Sequence, residues 1–268
     1  RQPDLAAVVA EDSSRGLRLL SDRRAQLTAA RTQTVTRLHG LLAELVEGGA
    51  PQSLSAEQAA TILRRILPIG EVDLIRKELA RDLLDDLRRL DSKLAANATR
   101  IAQAVHDSGT TLTEIQGIGP ITAARIIGHS GNPARFPTRG HYASYAGTAP
   151  IEASSGTVER HRLSRRGNRQ LNSALHGVAI TQMRHPGPGK DYYERKIAEG
   201  KTRGEARRAL KRHVSDRVFA TLLADAQRSP GRQVGATHES SAAGQTPTAN
   251  TSERSVPGLR KQATPRVA

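Results

Sequence analysis

From Gly147 to Asn172 the chain reads GTAPIEASSGTVERHRLSRRGNRQLN, which sets Ser154, Ser155 and Gly156 just ahead of Arg160, Arg162, Arg165, Arg166 and Arg169. A serine hydroxyl attacks a phosphodiester when a neighbouring group takes its proton and the charge developing on the phosphate is stabilised. Arginine suits the second task, because its planar guanidinium donates two parallel hydrogen bonds to phosphate oxygens. The residue types therefore allow nucleophilic phosphoryl chemistry in a cradle of arginines. They equally allow a plain turn, for which Ser-Ser-Gly is well suited.

Competing chemistries find less support. With no cysteine in 268 residues, a disulfide framework, a thiolate metal site and a cysteine nucleophile are excluded. His106, His129, His141, His161, His176, His185 and His213 are scattered, and none forms the i, i+4 pair beside a carboxylate that marks a zinc helix. Carboxylates are sparse after residue 107, so a two-metal nuclease centre does not assemble from that half, and no metal ligand is assigned. Asp82, Asp85 and Asp86 belong to a helix whose charges already balance. No glycine-rich loop ends in Gly-Lys-Ser/Thr, so there is no P-loop.

The net charge of +15 calls for a polyanionic partner, and nucleic acid is the natural one. Its placement says more than its size: residues 155–213 hold 15 Lys and Arg against 5 Asp and Glu, or +10 of the total, directly after the serine pair. Residues 1–107 are nearly neutral, with 16 against 15. No apolar run approaches the roughly 20 residues needed to span a bilayer, and no signal-peptide core is present. The expectation is a soluble, cytoplasmic, nucleoid-associated protein without a membrane partner.

The elements that must position these residues read as helices. Aromatic residues make up only 2% of the chain, so the core has to rest on Leu, Ile, Val and Ala, which favours a mainly α fold. Leu17, Leu20, Leu27, Leu38, Leu41 and Leu45 mark a helix over Ser14–Glu47. A short helix is predicted over Ala56–Ile66, with Ser55 as N-cap and Gln58 completing a capping box. Val72, Ile75, Leu79, Leu83, Leu87, Leu90, Leu94, Ala98, Ile101 and Val105 form the stripe of a second long helix. Residues 1–108 thus predict an antiparallel helical hairpin or coiled coil. Its seam serves either a bundle core or a dimerisation arm.

Residues 109–226 predict a small helical domain. At 112–131, Gly117 and Gly119 split an apolar pattern as in a helix-hairpin-helix, whose backbone grips nucleic-acid phosphates without reading bases. Further helices are predicted over Arg139–Ala146, Asn168–Met183, Asp191–Lys196 and Lys201–Leu223, the last exposing Arg203, Arg207, Arg208, Lys211 and Arg212. Residues 227–268, rich in Ser, Thr, Gly, Pro and Ala, predict a disordered basic tail.

Taken in order, Ala146-Gly147-Thr148-Ala149-Pro150, Ser154-Ser155-Gly156 and Leu163-Ser164-Arg165-Arg166-Gly167-Asn168 with Leu171 resemble the C-terminal signature of the insertion-sequence one-hundred-and-ten transposases and their Piv/MooV-type DNA invertase relatives. The resemblance covers roughly residues 10 to 225. It implies a site-specific DNA recombinase acting in transposition, in which Ser155, or as a fallback Ser154, holds a cleaved strand as a phosphoserine ester. Gly117, Gly119, Arg160, Arg162, Arg165, Arg166, Asn168 and Arg169 would contact nucleic acid. The family further implies DNA and a structured guide RNA as partners, and a homo-oligomer, dimer or tetramer. It also implies a magnesium site of four acidic residues in an N-terminal ribonuclease-H-like domain. No such strands or acidic quartet precede the helical region in this sequence, so the expectation is a C-terminal portion with no cofactor of its own. The alternative is a non-catalytic nucleic-acid-binding protein derived from a transposase.

Overall fold

Ser55 accepts a hydrogen bond from the Gln58 N–H while the Gln58 side chain accepts one from the Ser55 N–H, closing the capping box that opens α2 (Ala56–Arg65). That short helix separates two long ones, α1 (Ser13–Leu45) and α3 (Glu71–Asp107), the latter about 55 Å long at 1.5 Å per residue. The computed structural model describes residues 13–152, 161–162 and 167–228. Among these the fold is mainly α, as the composition predicts: α4 (Pro120–Ser130), α5 (Arg139–Tyr145), α6 (Arg169–Arg184), α7 (Pro188–Ala198) and α8 (Arg203–Arg228) follow the first three. A two-residue ribbon, β1 (Ile151–Glu152) with β2 (His161–Arg162), interrupts the series. The tail expected from residue 227 lies outside the described residues except for Gln227 and Arg228, which complete α8.

Helices α1 and α3 run antiparallel, because their cross-links ascend one helix as they descend the other. Asn97 donates to the Leu20 carbonyl at 3.2 Å, Arg24 to the Leu94 carbonyl at 3.2 Å, and Arg31 pairs with Asp91 at 2.5 Å. Near the turn Arg76 pairs with Glu44 at 2.7 Å. The seam differs from the predicted stripe. Ala80, Leu84, Leu87, Asn97, Ile101 and Val105 are the buried positions of α3, whereas Val72, Ile75 and Leu79 are exposed. The reason is α2, which lays Ala59 and Leu63 against Ala80 and Leu84 in one apolar cluster with Leu38 and Leu42. Three helices meet there, and the face that touches two neighbours is buried in preference to the one with the most regular apolar spacing.

A second, larger cluster joins the other end of the hairpin to α4–α8, uniting Leu17, Ile101 and Val105 with Ile126, Leu171, Leu175, Leu210 and Val218. Helix α4 reaches α1 through Gly128: a Cβ there would stand 2.6 Å from the Arg18 Cα, so only glycine permits the approach. Four of the six aromatic residues gather beneath the Gly147 turn. Phe136 meets Tyr142 edge-on at 5.2 Å and Tyr145 at the same separation, while Tyr142 stacks on Phe219 at 5.0 Å. The aliphatic core expected from composition therefore holds for the hairpin, and the bundle departs from it by concentrating its few rings in one place. Asp225 ties the end of α8 to the loop after α3, accepting from Thr110 Oγ1 at 2.7 Å, Thr111 N at 3.0 Å and Thr111 Oγ1 at 2.7 Å.

Candidate nucleic-acid interface

The motif begins where α5 ends. The Thr148 and Ala149 N–H groups both donate to the Ala143 carbonyl, at 2.8 and 3.1 Å, and fold the chain back over the last turn of the helix. The chain then enters β1, whose Ile151 pairs with Arg162 and Glu152 with His161 in an antiparallel register. The ribbon brackets residues 153–160. Ser154, Ser155, Arg160, Arg165 and Arg166 lie outside the described residues, as does the side chain of Arg162.

The return from the ribbon is locked to its beginning. The Asn168 N–H donates to the Tyr145 carbonyl at 2.7 Å. Gly167, at φ +100°, sits so close that a Cβ would lie 2.6 Å from that carbonyl oxygen and 2.9 Å from the Gly147 nitrogen. Asn168 Oδ1 then caps α6 by accepting from the Gln170 and Leu171 N–H groups, each at 3.0 Å. Its Nδ2 donates to the Tyr145 hydroxyl at 3.2 Å, and that hydroxyl donates to the His129 carbonyl at 3.0 Å. Both ends of the Asn168 amide are thus engaged inside the protein, and the residue's geometry is that of a clamp. Arg169, one position on, is exposed at the first turn of α6.

Gly117 and Gly119 occupy a different place. Before them stands a single 3-10 turn, Leu112–Glu114, where the pattern predicted a short helix. Gly117 turns at φ +88° against Thr181, and Gly119 is the exposed N-cap of α4 with Pro120 at its first position. No side chain caps α4, so its first N–H groups are open to an anion. Thr181 lies twelve residues along α6 from Arg169, about 18 Å at 1.5 Å per residue. The glycine turn and the base of the motif are therefore two stations along one helix.

Residues that the sequence reading passed over complete the frame. Asn172 Nδ2 donates to the carbonyls of Ala146 and Gly147 at 3.0 and 2.8 Å, holding the turn from the α6 side. Lys211 Nζ in turn donates to Asn172 Oδ1 at 2.6 Å. Lys211 is only 6% exposed, contrary to its predicted place on the outer face of α8. A signal was present: Lys211, Ser215, Val218 and Leu222 follow the i, i+4, i+7, i+11 spacing of an inward stripe, and all four are buried. Burial, with the Arg207 charge nearby, lowers the Lys211 ammonium from its ordinary 10.5 to about 8. His176 is held down as well, by burial and then by Lys211 and Arg207.

Beside the turn opens a cavity of 370 Å³ formed by Thr148–Pro150, Tyr192 of α7, Lys201, and the α8 face carrying Arg208, Lys211, Arg212 and His213. The Tyr192 and His213 rings stack at 4.6 Å within it. Among the described residues no group of three or more His, Asp or Glu side chains could hold a metal ion, and no helix is long and apolar enough to cross a membrane.

Comparison with known proteins falls on this same region. The profile of the transposase IS116/IS110/IS902 family matches residues 88–194, from the second half of α3 into α7. The 43.6 kDa protein of insertion element IS110 from Streptomyces coelicolor is 36% identical over 156 residues, which is 57% of this chain and 38% of that protein. The 44.8 kDa protein of insertion element IS116 from Streptomyces clavuligerus is 32% identical over 171 residues, 62% of this chain and 42% of that protein. The chain spans about two fifths of the length of these curated relatives. The matched stretch contains the turn at Gly147, the ribbon and the Asn168 clamp, and over residues 88–194 this chain is similar to the IS116/IS110/IS902 transposase family.

Proposed function

We propose that the chain acts in DNA transposition as a serine-dependent strand-transfer module. Ser155 is the nucleophile, with Ser154 as the fallback assignment. Supporting this reading is the frame around them: β1 and β2 pair across residues 153–160, and Gly167, Asn168 and Asn172 fix both feet of that ribbon on α5. A loop that presents a nucleophile needs such rigid anchorage, since catalysis depends on placing the attacking atom to within a fraction of an ångström. In the reaction, Ser155 Oγ gives up its proton to a base and forms a bond to the phosphorus of a DNA strand. The bond to the departing DNA oxygen breaks, and that oxygen takes up a proton. Attack by a DNA hydroxyl on the phosphoserine ester reverses these bonds and rejoins a strand. Arg160, Arg162, Arg165, Arg166 and the exposed Arg169 neutralise the phosphate, while Gly117 and Gly119 bring the open end of α4 to a second backbone position.

The described residues do not fit magnesium, so no step here runs through it. The acidic site that the family resemblance implies would come from a segment outside these 268 residues, and a structured guide RNA would select the strands. The partner in assembly is a second copy of the chain. Leu67 and Ile69, 86% and 89% exposed, join Val72, Leu74, Ile75 and Leu79 in an apolar surface at the hairpin turn of the kind that pairs between subunits.

The experiment is adduct trapping. Labelled element-end DNA with the guide RNA and the acidic domain supplied in trans yields a covalent protein–DNA species, and Ser155→Ala abolishes it. An adduct that survives in both Ser155→Ala and Ser154→Ala removes the serine assignment. Salt-sensitive binding without any adduct replaces the reading with that of a non-catalytic nucleic-acid-binding protein.

A further inference from the structure

Buried ammonium groups are found with a carboxylate partner because desolvation is otherwise uncompensated. Lys211 is buried, yet among the described residues its only partner is the neutral amide oxygen of Asn172. The two acids on the cavity wall are already committed. Glu205 accepts from the Thr202 N–H at 3.0 Å and the Thr202 hydroxyl at 2.7 Å, closing the first turn of α8, and Asp216 pairs with Arg212 at 3.0 Å. Lys201, Arg208 and Lys211 remain on that wall without a carboxylate within 4.0 Å among the described residues, with Arg207 adding positive charge beside Lys211. A cavity of 370 Å³ lies within the range of about 300–1,000 Å³ in which proteins hold small ligands and segments of larger ones. The charge is assembled around a space, and the missing partner is an anion.

We propose that this cavity is a phosphate site for a DNA strand, with Lys211 as its buried cation and Lys201 and Arg208 at its mouth. The inference rests on the reading that the chain acts on DNA, and it adds a residue and a place which that reading does not contain. The phosphate it takes is a neighbour of the reacting one. Lys211 reports to the motif through Asn172, whose other end holds the carbonyls of Ala146 and Gly147. A phosphate bound by Lys211 is therefore registered, through two hydrogen-bond steps, against the turn that leads into β1. Lys211 is accordingly a positioning residue for the strand. The Tyr192–His213 stack gives the cavity a flat apolar wall beside its cations, the combination by which single strands are held irrespective of sequence.

The test is equilibrium binding of the full chain to a short, mixed-sequence, fluorescein-labelled single-stranded DNA, measured by anisotropy across a series of salt concentrations. Lys211→Met and Arg208→Gln each weaken binding severalfold and each lower the slope of log affinity against log salt by about 1. Arg88→Gln, the same loss of charge on the exposed face of the hairpin, changes neither quantity. Arg208 is exposed, so its variant reports on the site even if the buried Lys211→Met fails to fold. Slopes unchanged in the folded variants overturn the site, as does an equal loss in Arg88→Gln, which would mark a diffuse field. If Ser155→Ala binds with the wild-type slope, Lys211→Met and Arg208→Gln lower it, and no adduct ever forms, the phosphate site stands and the nucleophile reading falls. If an adduct forms while both slopes stay unchanged, the reverse holds.

Discussion

The hairpin and the basic bundle are both rich in arginine, and they use it in opposite ways. In the hairpin several arginines lie directly against carboxylates: Arg31 with Asp91, Arg76 with Glu44 and Asp73, Arg88 with Asp85, Arg89 with Asp86. In the bundle the acids of α8 are spent on helix ends and on Arg212, and the cations around Lys211 are left facing a cavity. Balanced charge makes a long helix soluble and adds little stability, because exposed ion pairs contribute about 0–1 kcal/mol. Unbalanced charge around a space is electrostatic work done in folding, and it is recovered only when an anion arrives. The same residue type is thus scaffold in one region and recognition in the other, and the presence of nearby carboxylates decides which.

Gly167→Ala is expected to have the largest effect, about 2–4 kcal/mol from a left-handed backbone combined with collision at the Tyr145 carbonyl and Gly147 nitrogen. Chemical denaturation measures it, and a loss under about 1 kcal/mol would show that the base of the motif is not rigid. Asp225→Ala follows at about 1–3 kcal/mol, since it removes the acceptor of the Thr110 hydroxyl and of the Thr111 N–H and hydroxyl, and the carboxylate partner of Arg228.

Asp225 also sets a pH dependence at the acid end. Burial opposes its ionisation, but the hydrogen bonds from Thr110, Thr111 and Arg228 outweigh burial and hold its carboxyl below the ordinary 3.8. Its stabilisation is therefore complete above that value and is lost as pH falls through the folded-state pKa. In Asp225→Asn the acid limb of the melting-temperature profile flattens.

Lys211 gives a slope of the same sign at the alkaline end for a different reason, because here the charged form is the one that burial opposes. Its folded value of about 8 lies under the ordinary 10.5, so between these the unfolded chain binds the extra proton and stability rises with pH. DNA affinity falls over the same interval as the ammonium is lost, while Arg207, Arg208 and Arg212 beside it stay charged. Melting and binding profiles that diverge in wild type and run parallel in Lys211→Met would separate the cost of this charge from its use. The smallest effect belongs to the hairpin: Arg88→Gln together with Arg89→Gln shifts stability by under about 1 kcal/mol. A larger change would blur the contrast between the two regions.

Much of the fold was legible before the structure. The capping box at Ser55 and Gln58, the glycine stops at Gly48 and Gly49, and the 3.6-residue spacing of leucines place helices to within a few residues, because each depends on contacts inside a single turn. The seam of α3 was legible only in part. Val72, Ile75 and Leu79 have the right spacing, but α2 covers the neighbouring face, and that choice depends on residues twenty positions away. The family resemblance implies a nucleic-acid contact at Asn168; its structural part, capping α6 and binding the Tyr145 hydroxyl, depends on a residue 23 positions earlier and is not legible in the motif.

What the sequence alone determined is therefore local or global but nothing between: most of the helical segments to within a few residues, and that +10 of the charge lies in residues 155–213. Tertiary structure decided which of these charges meet a carboxylate. It placed Asp91 beside Arg31 across sixty residues, set Lys211 beneath Asn172 with no acid within reach among the described residues, and brought Gly167 against Tyr145. The physical reason is range. Propensity and capping act over one helical turn, whereas burial and charge pairing depend on surfaces that distant segments bring together.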